Sequence, residues 1–205
     1  MGSYTVIEET GSAIVKLLRQ YLVPDFVEHQ EEINLCSLED KGDLVVAVCL
    51  YNIQENEDLV GVGFKDRGIT KQSYPSLFLN LYYMITVYSE SDLKYRARQE
   101  QRILGRVLQV MHDYPILPQE FLTGSQLITY PVKIEFDKVS MEDKMKIYSV
   151  PGKAYKNSLF YRVYPVELES TLTKKIRRVA DLDTSVKKGT VKKNETSRSL
   201  SDCAN

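Results

Sequence analysis

The sequence has little of what catalytic and metal-binding sites are usually made of. Its 205 residues include no tryptophan, two histidines and three cysteines. His29 lies in an acidic stretch and His112 near the predicted end of a helix. Neither has a cysteine, a histidine or an acidic residue at the spacing of a metal site or a catalytic triad. We therefore expect both histidines to be structural.

The cysteines exclude two further classes of protein. Cys36, Cys49 and Cys203 are odd in number, widely spaced and form no CxxC motif. This pattern argues against a disulfide framework and against a zinc site, and it favours a reducing compartment. Cys36 and Cys49 fall in predicted strands, where a free cysteine is typically a small buried hydrophobic residue. We expect the protein to be made in the cytoplasm.

Long apolar runs and enzyme motifs are also missing. No stretch reaches the roughly 18 apolar residues of a membrane span, and Glu8 and Glu9 stand where a signal peptide needs positive charge and then an apolar run. A Walker-type phosphate loop, an HExxH pair and a GxSxG elbow are absent, and Gly61 and Gly63 lack the third glycine of a dinucleotide loop. The sequence predicts a soluble non-enzyme with no cofactor, metal, small-molecule substrate or membrane partner.

The apolar content, 43% of the residues, is enough for one compact domain. The formal net charge is −1, yet the charges are unevenly distributed: from Lys174 onward nine basic residues stand against four acidic ones, which leaves an acidic body. Residues 181–205 also lack aromatic side chains and are rich in lysine, serine and threonine. We predict an α+β domain over residues 1–173 and a basic, disordered tail over residues 174–205.

Apolar periodicity predicts the elements of the first half of the chain. A helix capped by Thr5 is expected to run to Pro24, because apolar residues recur at helical spacing. Strands at residues 33–36 and 44–53 flank a turn at residues 40–43 and are expected to form a hairpin. The second strand is almost continuously apolar, which predicts burial on both faces.

The second half predicts a long central strand and a long helix. Residues 77–89 alternate between an aliphatic and an aromatic face, and a helix follows over residues 92–113. A strand at 127–136, a short helix from Ser140 and a final strand at 159–169 complete the domain. The buried stripe of the long helix is predicted to contain Leu93, Ala97, Ile103, Leu104, Val107, Leu108 and Met111.

This order of elements predicts an α+β domain with a mainly antiparallel sheet and helices packed on one face. Pro165 lies in the middle of the final strand. Because proline cannot donate to the hydrogen-bond ladder, it favours an edge position or a bulge. An edge strand can pair with a strand from a partner chain.

In the absence of catalytic groups, the candidate functional residues are interface residues in three segments: a long polar arm, the final strand and a basic segment. The arm lies in the polar stretch of residues 54–73. This stretch is either a flexible hairpin extension or a segment that orders against a neighbouring subunit. The 14 tyrosines favour an interaction surface, although each segment could equally be solvated surface. The residues are Gln54, Glu55, Asn56, Arg67 and Thr70 in the arm, Tyr161, Arg162, Tyr164, Pro165, Glu167 and Glu169 in the final strand, and Lys174, Lys175, Arg177 and Arg178 in the basic segment.

A series of short motifs runs in order along the chain up to about Thr173. The motifs include Leu35-Cys36-Ser37, Lys41-Gly42-Asp43, Leu50-Tyr51-Asn52-Ile53-Gln54-Glu55-Asn56, Tyr74-Pro75, Leu81-Tyr82-Tyr83, Ile103-Leu104-Gly105-Arg106, Met111-His112-Asp113, Pro165-Val166 and Glu169-Ser170. As an ordered series they resemble the N-terminal domain family of cap proteins from extracellular contractile injection systems of the antifeeding-prophage type.

The resemblance implies a tail-terminator fold and a structural, non-catalytic role. A protein of this kind forms a ring, expected to be hexameric, on the last layer of the inner tube and sheath and stops their polymerisation. Its partners would be further copies of itself and the tube and sheath subunits, within a particle that can leave the cell. Two alternatives stay open: a tube or baseplate adaptor of the same particle, and a small nucleic-acid or anion binder that uses the basic tail. The acidic body argues against nucleic acid.

Overall fold

The computed structural model describes residues 4–40, 42–59, 63–66, 71–89, 91–122, 130–149 and 155–175. Within these residues, two short 3-10 turns (Gln30–Glu32 and Gln119–Phe121) accompany three helices and eight strands. In chain order the elements are α1 (Val6–Leu22), β1 (Ile33–Cys36), β2 (Val46–Glu55), β3 (Lys65–Asp66), β4 (Lys71–Ser73), β5 (Leu77–Val87), α2 (Leu93–Asp113), β6 (Lys133–Phe136), α3 (Met141–Ile147), β7 (Ser158–Leu168) and β8 (Thr173–Lys175).

Five strands form the main sheet, in the order β1-β2-β5-β7-β6. The pairs β2–β5, β5–β7 and β6–β7 are antiparallel, and β1–β2 is parallel. The α+β class and the mainly antiparallel sheet are therefore confirmed. β5 lies at the centre, where the alternating sequence placed its long strand.

The parallel β1–β2 pair corrects the predicted hairpin. Its register joins Ile33 to Val46 and Cys36 to Cys49. The turn itself is present, with Gly42 at a φ of 54° that favours glycine. Because β1 and β2 are parallel, the start of β2 lies beside the start of β1, about 13 Å from the end of that four-residue strand. A turn motif predicts that the chain reverses its direction. It does not show whether a second reversal follows before the next strand begins.

A bulge near Pro165 interrupts the pairing between β5 and β7. Leu79 faces Val166 and Leu81 faces Val163, so the register shifts between these two pairs. Just before the proline β7 is not an edge strand, because β6 pairs with Tyr161 to Tyr164 on its other side. Of the two outcomes that a proline predicts within a strand, the bulge is observed. The edge position is wrong for Tyr161 to Tyr164, whereas no described strand pairs with Pro165 to Leu168 on the side of β6.

One face of the main sheet is covered by α1 and α2. α1 buries Ile14, Leu17 and Leu18 completely, because its apolar residues recur at the spacing of one helical face. Thr5 stands at the N-cap as predicted, but its hydroxyl bonds the Glu9 side chain instead of a backbone amide. Gly11 lets the helix approach the sheet, since an added Cβ would lie 3.0 Å from Leu35 Cδ2.

α2 has the predicted bounds but a shorter buried stripe. Ile103, Val107 and Met111 are buried as expected. Leu93 and Leu108 are 82% and 44% exposed, so their predicted burial is wrong. Leu93 is the first residue of the helix, and all residues from Leu93 to Arg98 are exposed. Periodicity identifies a helical face, but it does not show how far the sheet extends beneath it.

The opposite face of the sheet carries a smaller cluster. Cys49, Met84 and Phe160 are buried there, and Ile147 at the end of α3 packs against them. α3 begins as predicted at Ser140, whose side chain accepts a hydrogen bond from the Asp143 amide. The short helix thus lies on the face away from α1 and α2.

A second, three-stranded sheet is formed by β3, β4 and β8, in the order β3-β4-β8 with both pairs antiparallel. We call it the arm sheet. β3 and β4 come from the polar stretch after β2, and β8 follows the end of β7. The expected hairpin extension is therefore present, and it is held by a strand from the far end of the domain.

Candidate interaction surface

The arm sheet brings together two segments that the sequence singled out separately. Lys71 in the arm faces Lys175, and Gln72 faces Lys174. Residues directly opposite each other in antiparallel strands have Cβ atoms roughly 5 Å apart, and like charges at this distance are unfavourable. In the part of the chain that the structure describes, neither Lys71 nor Lys175 is in an ion pair. The arm sheet thus has uncompensated positive charge that a carboxylate from outside would neutralise.

Apolar side chains lie beside these lysines. Phe64 and Tyr74 meet edge to face at 5.2 Å between ring centroids, and both are more than 40% exposed. The Tyr74 amide donates to the Leu172 carbonyl at 3.1 Å, and the Leu172 side chain is 64% exposed. Lys174 stands over the Phe64 ring at 5.8 Å. Exposed aromatic and aliphatic groups next to charge are typical of an interaction site.

One ion pair ties the arm sheet to the main sheet. The Lys65 amino group in β3 contacts the Glu167 carboxylate in β7. Glu167 was a candidate interface residue of the final strand, and its carboxylate is used within the chain. The predicted arm, final strand and basic segment therefore meet at one end of the domain. We call Phe64, Lys71, Tyr74, Leu172, Lys174 and Lys175 together the arm surface.

Asn56 holds the start of the arm. Its side chain is 4% exposed and donates to Asn80 Oδ1 at 2.8 Å. Its own Oδ1 accepts from the amides of Asp58 at 3.0 Å and Leu59 at 3.1 Å, which is the side-chain turn that asparagine favours. Asn56 therefore shapes the turn and presents no side chain to a partner. Gln54 is exposed, and its Oε1 accepts from the Tyr82 hydroxyl at 2.9 Å.

The remaining candidates in β7 divide between core and surface. Tyr161 is 3% exposed, and burial raises the pKa of its hydroxyl. Arg162 donates to Glu135 at 2.6 Å and Tyr164 donates to the same carboxylate at 3.0 Å. These two hydrogen bonds lower the pKa of Glu135. Pro165 is buried at the bulge, whereas Arg162 and Tyr164 are half-buried and bond the exposed Glu135 of β6.

Four candidates lie outside the described residues: Arg67, Thr70, Arg177 and Arg178. Glu169 is described and makes contacts within the chain. β8 begins at Thr173 and continues to Lys175, so it crosses the boundary at which the sequence separates domain from tail. Lys174 and Lys175 are thus ordered strand residues.

One charged surface was not predicted from the sequence. Lys94, Arg96 and Arg98 in the first two turns of α2 are all exposed. They are not among the interface residues predicted from the sequence. The signal that could have singled them out is the absence of an acidic residue in the first turn of α2, where helices ordinarily favour one.

A cavity formed by described residues lies on the α3 face of the main sheet. It has a volume of about 380 Å³, and its lining includes acidic and basic groups beside sulfur and aromatic ones: Cys36, Cys49, Tyr148, Glu39, Asp40 and Lys156. Over the same described ranges, no group of three or more His, Cys, Asp or Glu side chains could hold a metal ion. None of the helices described is long and apolar enough to cross a membrane.

Two solved structures resemble the chain closely enough to show its fold. One is a cryo-EM structure of the sheath/tube terminator of an extracellular contractile injection system, PVC, in the extended state; it is 18% identical, with a TM-score of 0.60. The other is a cryo-EM structure of the anti-feeding prophage cap, a tube-terminating cap; it is 20% identical, with a TM-score of 0.61. They match 90% and 86% of this chain, which spans 64% and 60% of theirs.

The sequence comparison identifies the family. No curated protein sequence matches the chain. The family described as the Pvc16 N-terminal domain matches residues 9–181, which is most of the 205 residues. This match confirms the resemblance that the ordered motifs indicated, and the fold of the two cap structures agrees with it. The chain therefore belongs to the Pvc16 N-terminal domain family.

Proposed function

We propose that this protein is a structural cap of a phage-tail-like contractile injection particle. It would form a ring, hexameric to match the tube and sheath, on the last layer of both and stop their polymerisation. The family match and the fold shared with two caps support the proposal. The protein would be made in the cytoplasm and leave the cell only as part of the particle, and it would catalyse no reaction.

The arm surface is the observation that supports a contact between this protein and the rest of the particle. Lys71 and Lys175 face each other without a carboxylate partner among the described residues. Exposed Phe64, Tyr74 and Leu172 stand beside them. A neighbouring subunit that brings carboxylates and apolar side chains would remove the repulsion and bury the rings at once. We propose that the terminal sheath or tube subunit is that neighbour.

β8 could also bind the same neighbouring subunit through backbone hydrogen bonds. In the order β3-β4-β8, β8 has a neighbour on one side, and no other described strand pairs with its free edge. An extended segment can add to such an edge through main-chain hydrogen bonds, while the alternating side chains provide specificity. We propose the free edge of β8, in place of the whole of β7, as the site of strand addition.

The experiment is complementation of a strain that lacks the gene. Lys71→Glu/Lys175→Glu changes two cross-strand lysines into carboxylates that repel each other equally, so its effect on stability should be small. Incorporation into purified particles should nevertheless fall at least about tenfold, because an attraction becomes a repulsion. Lys138→Glu is the control, since Lys138 is exposed and lies in the loop between β6 and α3. Normal incorporation of the double variant would refute the arm surface as the contact.

The same preparations separate the cap role from the adaptor role. A cap should be found at one end of each particle, and its loss should change the length of the tube and sheath. A baseplate adaptor should be found at the other end, and its loss should prevent assembly. Labelling the protein and imaging the particles decides between these two positions.

A further inference from the structure

The first two turns of α2 form an exposed basic surface. Lys94, Arg96 and Arg98 are all exposed, and none of them is in an ion pair with a described residue. Leu93 and Tyr95 in the same turns are 82% and 60% exposed. We call these five residues the basic end of α2. Exposed apolar side chains among cations that lack an ion-pair partner in the described part of the chain are typical of an interface. The reason is that leucine and tyrosine side chains are stabilised when a partner buries them.

The basic end projects beyond the main sheet. Ser89, just after β5, donates from its hydroxyl to Gln99 Oε1 at 2.5 Å and from its amide to Glu100 Oε1 at 3.2 Å. This contact places Gln99 and Glu100 level with the end of the sheet. The helix then extends back for six more residues to Leu93, which is about 9 Å at 1.5 Å per residue. The projecting turns are therefore within reach of another molecule.

The charge of this end is unfavourable in the isolated chain. The first turn of α2 contains no acidic residue, although the positive end of the helix dipole favours carboxylates there and disfavours lysine and arginine. The nearby Glu100 carboxylate is engaged by Lys156 at 2.5 Å. Among the described residues at the start of the helix, Asp92 at the N-cap offsets one charge of three, and its side chain does not cap the helix. Carboxylates supplied from outside would make the arrangement favourable.

The chain itself carries a matching acidic surface. Glu55, Glu57 and Asp58 are exposed, and in the described part of the chain none of them is in an ion pair. Asn56 fixes the turn between them through its bonds to Asp58 and Leu59. Neighbouring Ile53 is 44% exposed. We call Glu55, Glu57 and Asp58 the acidic turn.

The acidic turn and the basic end lie at opposite ends of the main sheet. Glu55 pairs with Leu79, near the start of β5. α2 begins six residues beyond the other end of β5, at Val87. An eleven-residue strand spans roughly 37 Å, so the two surfaces cannot neutralise each other within one chain.

We infer that the basic end of α2 docks on the acidic turn of the next copy of this chain. A cyclic ring uses two different surfaces of each subunit, one for each neighbour, and these two surfaces are complementary in charge. Leu93 and Tyr95 would then pack near Ile53 of the neighbour. The inference rests on the ring of the proposed function and names the surfaces that close it.

The test is charge reversal with recovery in the full chain. Arg96→Glu/Arg98→Glu and Glu55→Arg/Glu57→Arg should each weaken self-association about tenfold or more, since attraction becomes repulsion on one side of each interface. The protein with all four substitutions should recover most of the association, because the charges are again opposite. Lys138→Glu should associate as wild type does. Sedimentation velocity at low and high salt measures the association, and circular dichroism confirms that each variant is folded.

Three results would overturn the inference. Rings that survive both double reversals would place the interface elsewhere. Weakened association without recovery in the fourfold variant would show that the basic end and the acidic turn do not contact each other. Wild-type protein that stays monomeric at high concentration and low salt would remove the interface altogether. In each case the cap proposal is judged separately, by whether loss of the gene changes particle length.

Discussion

Replacing Asn56 with alanine should destabilise the domain and loosen the start of the arm. The side chain makes one buried bond to Asn80 and accepts from two backbone amides, at 2.8, 3.0 and 3.1 Å. A hydrogen bond contributes about 0.5–1.5 kcal/mol, with the buried bond at the upper end and the amides of the partly exposed turn at the lower end. The expected loss is about 2–3 kcal/mol. For a domain of this size that corresponds to about 5–10 °C in the thermal midpoint.

Urea denaturation of the full chain, followed by circular dichroism, measures this loss. Asn56→Asp keeps an acceptor for the two amides and loses the donor to Asn80, so it should lie between alanine and wild type. Asn34→Ala is the matched control, because Asn34 is exposed and its side chain bonds only the adjacent Leu35 amide. A loss below about 0.5 kcal/mol in Asn56→Ala would show that the turn is held by something other than these three bonds.

Three further predictions concern other parts of the domain. Glu135 has a lowered pKa, so its contribution to stability is present above the usual carboxyl pKa and is lost as the pH falls through the lowered value. Glu135→Gln should therefore lower the thermal midpoint at neutral pH and have no effect in strong acid; an equal effect at both would contradict the ion pair. Ile14→Ala should cost about 2–4 kcal/mol in urea denaturation because Ile14 is fully buried, whereas Leu108→Ala should cost under about 0.5 kcal/mol; equal losses would contradict the packing of α1 and α2. Lys65→Ala removes the ion pair with Glu167, and limited proteolysis of the arm should become several times faster; an unchanged rate would show that pairing with β8 alone holds it.

Local patterns in the sequence predicted most elements but not how they pair. α1, α2 and β5 follow from periodicity and stop signals, which depend on neighbouring residues alone. The parallel pairing of β1 and β2 depends on the path of the loop between them, and no residue in that loop predicts this path. Pro165 predicted a disturbance in β7, and only the register with β5 shows that the disturbance is a bulge.

The candidate surface could be predicted only in pieces. Lys71 and Lys175 are more than a hundred positions apart, so their pairing is a property of the fold. Asn56 has the character of a surface residue in the sequence, yet it is buried, and its side chain bonds Asn80 on β5. The sequence predicted that Leu93, in the first turn of α2, is buried. The helix extends past the sheet at this end, and Leu93 is 82% exposed.

The most direct test of the cap proposal is the length of the particles made without this protein. Electron microscopy of particles from a strain that lacks the gene, compared with the complemented strain, gives the distribution of tube and sheath lengths. The proposal predicts tubes and sheaths of uncontrolled length in the deletion, and normal lengths after complementation. Particles of unchanged length and normal assembly in the deletion would contradict it.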